Sequence, residues 1–111
     1  MKNQEDSFMS IITITKENFN QEVLQSEKPI LVDFWASWCG PCRMLSPVVD
    51  RVADNQSEVK VGKINVDEQP DLAQQFRVMT IPTLILFKNG QPVKQSVGVQ
   101  TEAAIMNMIK N

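Results

Sequence analysis

Alternating apolar and polar positions divide the chain into short segments of strand and helix character. Ile11-Ile12-Thr13-Ile14 reads as a strand, and Thr15 then caps a helix in which Phe19 and Val23, four residues apart, share one face. Ser26-Glu27-Lys28-Pro29 closes that helix. The run from Ile30 to Trp35 is apolar on both alternating faces except at Asp33, the pattern of a central parallel strand covered on both sides. A helix is predicted from Cys39 to Asp54, with Pro47 inside it removing a backbone hydrogen bond and crowding the carbonyl of Arg43, so a kink is expected there. Val59, Val61, Ile64 and Val66 mark a third strand whose alternation slips around Gly62, through a bulge or through burial on both faces. Residues 67–76 predict a short helix with Leu72 and Phe76 in register and Pro70 in its first turn. Residues 83–87 and 93–97 flank Asn89-Gly90, a hairpin signal, and Gly98 ends the last strand. Thr101 caps a final helix on which Ile105, Met108 and Ile109 form one apolar stripe. Strand and helix units followed by a hairpin and a helix predict an α/β domain, a mixed sheet with helices on both faces.

Length and charge narrow the class. A chain of 111 residues, 42% hydrophobic, is long enough for one core and too short for two, so residues 11–111 are read as a single domain. A net charge of −2 with lysine and arginine scattered singly gives no reason to expect nucleic acid or an anionic membrane as a partner. Residues 1–10 turn polar and acidic after Lys2, with no apolar run of signal-peptide length, and nothing later approaches a membrane span. A cytoplasmic location is the expectation. Residues 1–10 are expected to form a mobile extension, with Met9 as an alternative start.

The chemistry concentrates in Trp38-Cys39-Gly40-Pro41-Cys42, which holds the only two cysteines of the chain where strand gives way to helix. In a reducing compartment such a pair is more readily catalytic than a staple. If the helix starts at Cys39, its thiol sits among unpaired backbone N–H groups at the positive end of the helix dipole, where a thiolate is favoured. Cys39 is therefore the candidate nucleophile. Cys42, one turn on, is expected beneath it and more buried, suited to resolving a mixed disulfide. Pro41 fits an early helical position, where its missing N–H has no helical partner. The alternatives are half of a zinc site and an inert core pair. Zinc needs four ligands, and with no further cysteine and no histidine they would have to come from a dimer or from carboxylates. Asp33 interrupts its strand on the face shared with Leu31 and Trp35. Burial there without a cationic partner raises a carboxyl pKa towards neutrality, making the group a candidate proton carrier behind the cysteines. The alternative is an exposed aspartate at a strand edge.

Residues 35–47, Trp-Ala-Ser-Trp-Cys-Gly-Pro-Cys-Arg-Met-Leu-Ser-Pro, resemble the active-site stretch of the thioredoxin family. The likeness continues in order through Lys63-Ile64-Asn65-Val66-Asp67, Ile81-Pro82-Thr83, Phe87-Lys88-Asn89-Gly90 and Gly98, spanning residues 11–109. The resemblance implies the thioredoxin fold, a central mixed five-stranded sheet flanked on both faces by four helices. It also implies protein-disulfide reductase activity by dithiol/disulfide exchange through Cys39 and Cys42, serving electron transfer to target proteins and cell redox homeostasis. It gives Asp33 a proton-transfer role and places Lys63 near it, whereas the residues alone read Lys63 as surface charge. It implies a cis Ile81-Pro82 bond facing the cysteines, against the usual trans preference of X-Pro bonds. The backbone before that proline would then be free to pair with an extended substrate strand. Thr80 stands where some relatives carry glycine, which is expected to narrow the groove without blocking it.

Trp38, Gly40, Pro41, Ile81 and Gly98 would frame a shallow apolar patch for substrate, the alternative for Trp38 being core packing. No bound cofactor or metal is expected beyond the redox-active disulfide Cys39-Cys42. The implied partners are an NADPH-dependent thioredoxin reductase and disulfide-containing substrate proteins, the chain itself being a monomer. Gly-Pro between the cysteines resembles the strongly reducing members of the family. Two other roles stay open. An oxidant or isomerase on the same fold would call for an export signal and a different dipeptide, and a binding subunit would serve a partner without redox turnover.

Overall fold

Five strands and four helices follow one another along residues 10–111, the part of the chain that the computed structural model describes. They are β1 (Ile11–Thr13), α1 (Asn20–Leu24), β2 (Ile30–Trp35), α2 (Gly40–Asn55), β3 (Lys60–Asn65), α3 (Pro70–Gln75), β4 (Thr83–Lys88), β5 (Gln91–Val97) and α4 (Glu102–Lys110). The strands form one sheet in the order β1-β3-β2-β4-β5. β1, β3 and β2 run parallel, whereas β4 is antiparallel to both β2 and β5. The sheet is mixed and the fold is the expected α/β thioredoxin fold. Residues 1–9, which carry most of the expected mobile extension, lie outside the described residues.

β2 is the middle strand, and its composition follows from that place. Residues Ile30 to Phe34 are all buried, and successive side chains enter two separate cores. Ile30, Val32 and Phe34 pack with Ile14, Phe19, Val23, Leu72 and Phe87 in the core beneath α1 and α3. Within it the Phe76 ring lies 5.5 Å from that of Phe19 and 5.2 Å from that of Phe87. Leu31 enters the opposite core with Leu45, Val49 and Val52 of α2 and Ile105 and Ile109 of α4. Each such large side chain stabilises the fold by about 1.5–3 kcal/mol. Asp33 is the one polar member of this strand, on the α2 side between Leu31 and Trp35.

The slip of alternation around Gly62 comes from burial on both faces, not from a bulge. β3 keeps a continuous register with β1 and with β2. Val61 faces the α2 core and Ile64 the other. A Cβ on Gly62 would stand 2.8 Å from Ile14 Cγ1, so glycine lets Ile14 lie directly against the strand. The first helix differs from expectation in kind. Thr15 does not cap it: Thr15 and Asn18 bond to each other in the turn before it, Asn18 Oδ1 accepting from Thr15 N at 2.8 Å and Thr15 Oγ1 from Asn18 N at 3.4 Å. The helix itself is π-helical, with Phe19 as an N-cap without a side-chain bond and Gln25 N donating to Asn20 O. Phe19 and Val23 are buried together all the same, because positions four apart also adjoin in the wider helix.

The hairpin turn has Asn89 at φ 53° and Gly90 at φ 77°, the type I′ geometry that suits the twist of the flanking strands. β5 starts at Gln91, earlier than residue 93, and includes Pro92. It is an edge strand with a register shift opposite Leu86 and Phe87, the setting in which a missing N–H is tolerated. α3 is shorter than residues 67–76 and ends in a Schellman turn, in which Val78 N donates to Ala73 O and Arg77 N to Gln74 O. Arg77 occupies the left-handed position of that turn, φ 56°, without glycine's freedom. Arg77→Gly is therefore expected to raise stability by about 1 kcal/mol, read as a higher urea midpoint at unchanged slope.

Candidate active site

Cys39 is the N-cap of α2, in extended conformation at φ −92° and ψ 111°, so the helix proper begins at Gly40 with Pro41 at its first positions. Its Sγ accepts a hydrogen bond from the backbone N of Cys42 at 3.2 Å, in the way a cap oxygen does. A disulfide joins Cys39 to Cys42, with the Cα atoms 5.2 Å apart. The expected difference in burial is not found: Cys39 is 4% and Cys42 3% exposed, because one bond ties both into a single turn. Their surroundings set them apart. Cys39 Sγ lies 3.8 Å from the carbonyl oxygen of Ile81, whereas Cys42 lines a partly open cavity behind the helix.

The Ile81-Pro82 bond is cis. Ile81 packs against the small cluster of Ala36, Cys39 and Cys42, and Gly98 N donates to Pro82 O at 2.8 Å, which draws residues from the β4 and β5 ends towards the disulfide. Gly98 has φ 95°, a conformation side-chain-bearing residues rarely adopt, and neither Gly98 nor Gly40 has a heavy atom within 4 Å of where a Cβ would stand. Glycine keeps the surface low at both points. Thr80 O is held by the Thr83 hydroxyl at 2.5 Å.

Trp38 is 67% exposed, which overturns the core-packing alternative. Its indole Nε1 donates to Asp67 Oδ2 at 2.8 Å, fixing the ring over the loop after β3. Asp67 is a site residue that the motif reading includes but gives no task. The only signal was that an exposed indole N–H takes an acceptor, with no spacing rule to identify one 29 residues away.

Behind Cys42 a cavity of about 210 Å³ is lined by Asp33, Trp35, Cys42, Arg43, Ser46 and Lys63. Asp33 is 2% exposed, which excludes the strand-edge alternative, and its Oδ1 has no hydrogen-bond partner. Burial pushes its pKa from 3.8 up to about 7; the nearby Lys63 ammonium opposes the rise and the Asp50 carboxylate adds to it. Lys63 is no free surface charge. Its Nζ donates to Ser46 Oγ at 2.7 Å and pairs with Asp50 Oδ1 at 3.0 Å. Ser46 and Asp50 carry a signal that could have found them: Cys42, Ser46 and Asp50 recur every four residues on α2 and so share a face. Among the described residues no group of three or more His, Cys, Asp or Glu side chains is placed to hold a metal, and no helix is long and apolar enough to cross a membrane.

A disulfide at the start of a helix, a cis-proline loop against it and a buried carboxyl behind it define a thiol–disulfide oxidoreductase. The family model described as Thioredoxin matches residues 10–111. The chain is 56% identical over 90 residues to a thioredoxin of Alicyclobacillus acidocaldarius, covering 80% of this chain and 85% of that protein. It is 48% identical over 101 residues to a thioredoxin of Mycobacterium bovis, covering 90% of this chain and 87% of the relative. A bifunctional thioredoxin reductase/thioredoxin of Mycobacterium leprae is 49% identical over 96 residues, which is 86% of this chain and 21% of that longer protein. The chain belongs to the thioredoxin family, and its activity is dithiol/disulfide exchange through the Cys39-Cys42 pair.

Proposed function

We propose that Cys39 is the attacking thiolate and Cys42 the resolving thiol of a protein-disulfide reductase. The observation that carries the assignment is the N-cap hydrogen bond. Cys42 N–H and the start of α2 point at Cys39 Sγ, so negative charge is favoured on that sulfur over the other. The Cys39 thiolate attacks one sulfur of a substrate disulfide, and the other leaves as a thiolate that takes a proton from solvent. Cys42 then gives its proton to the Asp33 carboxylate and attacks Cys39 Sγ, and the second substrate sulfur leaves as a thiolate that takes a proton from solvent, to which Asp33 returns its own. Two electrons pass to the substrate and the Cys39-Cys42 disulfide remains. A group that titrates near 7 is matched to that proton transfer at neutral pH.

Substrate would dock as an extended segment against the backbone at Ile81, over the patch framed by Trp38, Gly40, Pro41, Ile81 and Gly98. Trp38→Ala is expected to slow reduction of insulin about three- to tenfold, equivalent to about 1 kcal/mol of docking energy, while changing the rate with a small aromatic disulfide less than about twofold. Equal losses on both substrates would remove Trp38 from the docking surface.

The domain over residues 11–111 would work in the cytoplasm as a monomer without a bound cofactor, re-reduced by an NADPH-dependent thioredoxin reductase. The fused reductase/thioredoxin relative supports that partner. Insulin reduction coupled to NADPH oxidation by a bacterial thioredoxin reductase tests it: NADPH consumption that needs both proteins is expected, and none above the reductase alone would exclude that electron donor.

A further inference from the structure

Lys63 stands beside Asp33 in the parallel register of β2 and β3 and shares its cavity, yet its ammonium goes elsewhere. Nζ reaches across to α2, donating to Ser46 Oγ at 2.7 Å and to Asp50 Oδ1 at 3.0 Å, while Asp33 Oδ1 is buried with no hydrogen-bond partner. A buried carboxylate with a lysine within reach ordinarily takes it as a counter-ion. Something must offer the ammonium a better place, and Ser46 and Asp50, one turn apart on α2, do so.

We propose that Ser46 is a positioning residue: with Asp50, its hydroxyl holds the Lys63 ammonium on the α2 side of the cavity and keeps it from pairing with Asp33 behind Cys42. The role rests on the reading of Asp33 as the proton carrier and adds the reason that Asp33 stays protonatable. An ammonium settled on Asp33 would favour its ionised form and spoil it as a carrier near neutrality.

Among the described residues the charged and titratable groups around Asp33 are few. β3 contributes Lys63, and α2 contributes Cys42, Arg43 and Asp50. Arg43 is occupied, Nη1 donating to Ser37 O at 2.8 Å. On β4 the register partner of Asp33 is the apolar Leu84. Ser46 is uncharged, so its removal acts on Asp33 through where Lys63 sits, and that dependence can be measured.

The test is titration of the Asp33 carboxyl by ¹³C NMR in the full-length oxidised chain, where the disulfide removes the cysteines from the titration. Parent and Ser46→Ala are compared, each with Lys63 present and with Lys63→Met. Ser46→Ala is expected to lower the Asp33 midpoint by about one pH unit with Lys63 present and to leave it unmoved with Lys63→Met. A midpoint that Ser46→Ala leaves unchanged or raises, or one that falls equally without Lys63, overturns the proposal. Activity is a separate arm. A parent chain unable to reduce insulin would remove the catalytic reading and leave the titration result standing, whereas an active parent with an unmoved Asp33 would remove the role of Ser46 alone.

Discussion

Cys42→Ser is expected to accumulate as mixed disulfides with substrate proteins, and Cys39→Ser is expected to trap almost none. The asymmetry follows from the order of attack. Cys39 can still open a substrate disulfide when Cys42 is absent, but the intramolecular thiol that would release the product is gone. Well-placed intramolecular groups act at effective concentrations of about 10⁵–10⁸ M, far above any free thiol in solution, so the intermediate should outlive purification. Cys39→Ser lacks the capped sulfur altogether, and Cys42, which faces the cavity behind α2 and not the Ile81-Pro82 loop, is poorly placed to meet a protein disulfide. Its insulin reduction should fall to the uncatalysed rate. Non-reducing gels and mass spectrometry of the trapped species read the outcome directly; equal trapping by the two variants would reverse or abolish the assignment.

The second large effect joins stability to catalysis at Asp33. Its folded pKa of about 7 lies above the 3.8 of an ordinary aspartate, so the folded chain holds this proton more tightly than the unfolded one. Between those two values the folded state binds more protons, and stability falls as pH rises. The contribution is complete below the unfolded pKa and is lost as pH climbs through the folded one. The difference between 3.8 and about 7 corresponds to about 4 kcal/mol. Asp33→Asn removes the ionisation, so it should stabilise the chain by about 3–4 kcal/mol at pH 8 and by little at pH 4. It should also slow disulfide exchange at neutral pH by at least about tenfold, towards the low side of what general acid–base groups contribute. Urea unfolding at the two pH values, beside insulin-reduction rates, checks both halves. A variant no more stable at pH 8, or one that turns over at the parental rate, would deprive Asp33 of its role.

Much of this site is legible in the chain because its parts are local. Cys39 and Cys42 announce themselves by spacing, Pro41 by fitting the first turn of a helix, and Asp33 by breaking an apolar strand. β2 reads as a central strand because burial on both faces leaves no polar alternation to confuse it with an edge. What escapes the pattern is decided by contacts between distant segments. The Trp38 to Asp67 bond and the exposure of the indole depend on where the loop after β3 passes. The π-helical form of α1 escapes as well, since a spacing of four serves both helix types. The early start of β5 escapes because Pro92 is forbidden in a central strand and tolerated only once the strand is known to be an edge. Lys63 lies between these cases. Its residue type suggests surface charge, the family resemblance places it near Asp33, and only the structure pairs it with Ser46 and Asp50.

The central claim is that the Cys39-Cys42 pair turns over protein disulfides, and insulin reduction by dithiothreitol, followed as turbidity when the freed chains precipitate, tests it most directly. Catalytic amounts of the parent chain should shorten the lag before precipitation and steepen the rise in proportion to protein added, and Cys39→Ser should match the protein-free control. A parent chain that leaves the dithiothreitol reaction unaccelerated, or a Cys39→Ser chain that accelerates it as well as the parent does, would contradict the claim.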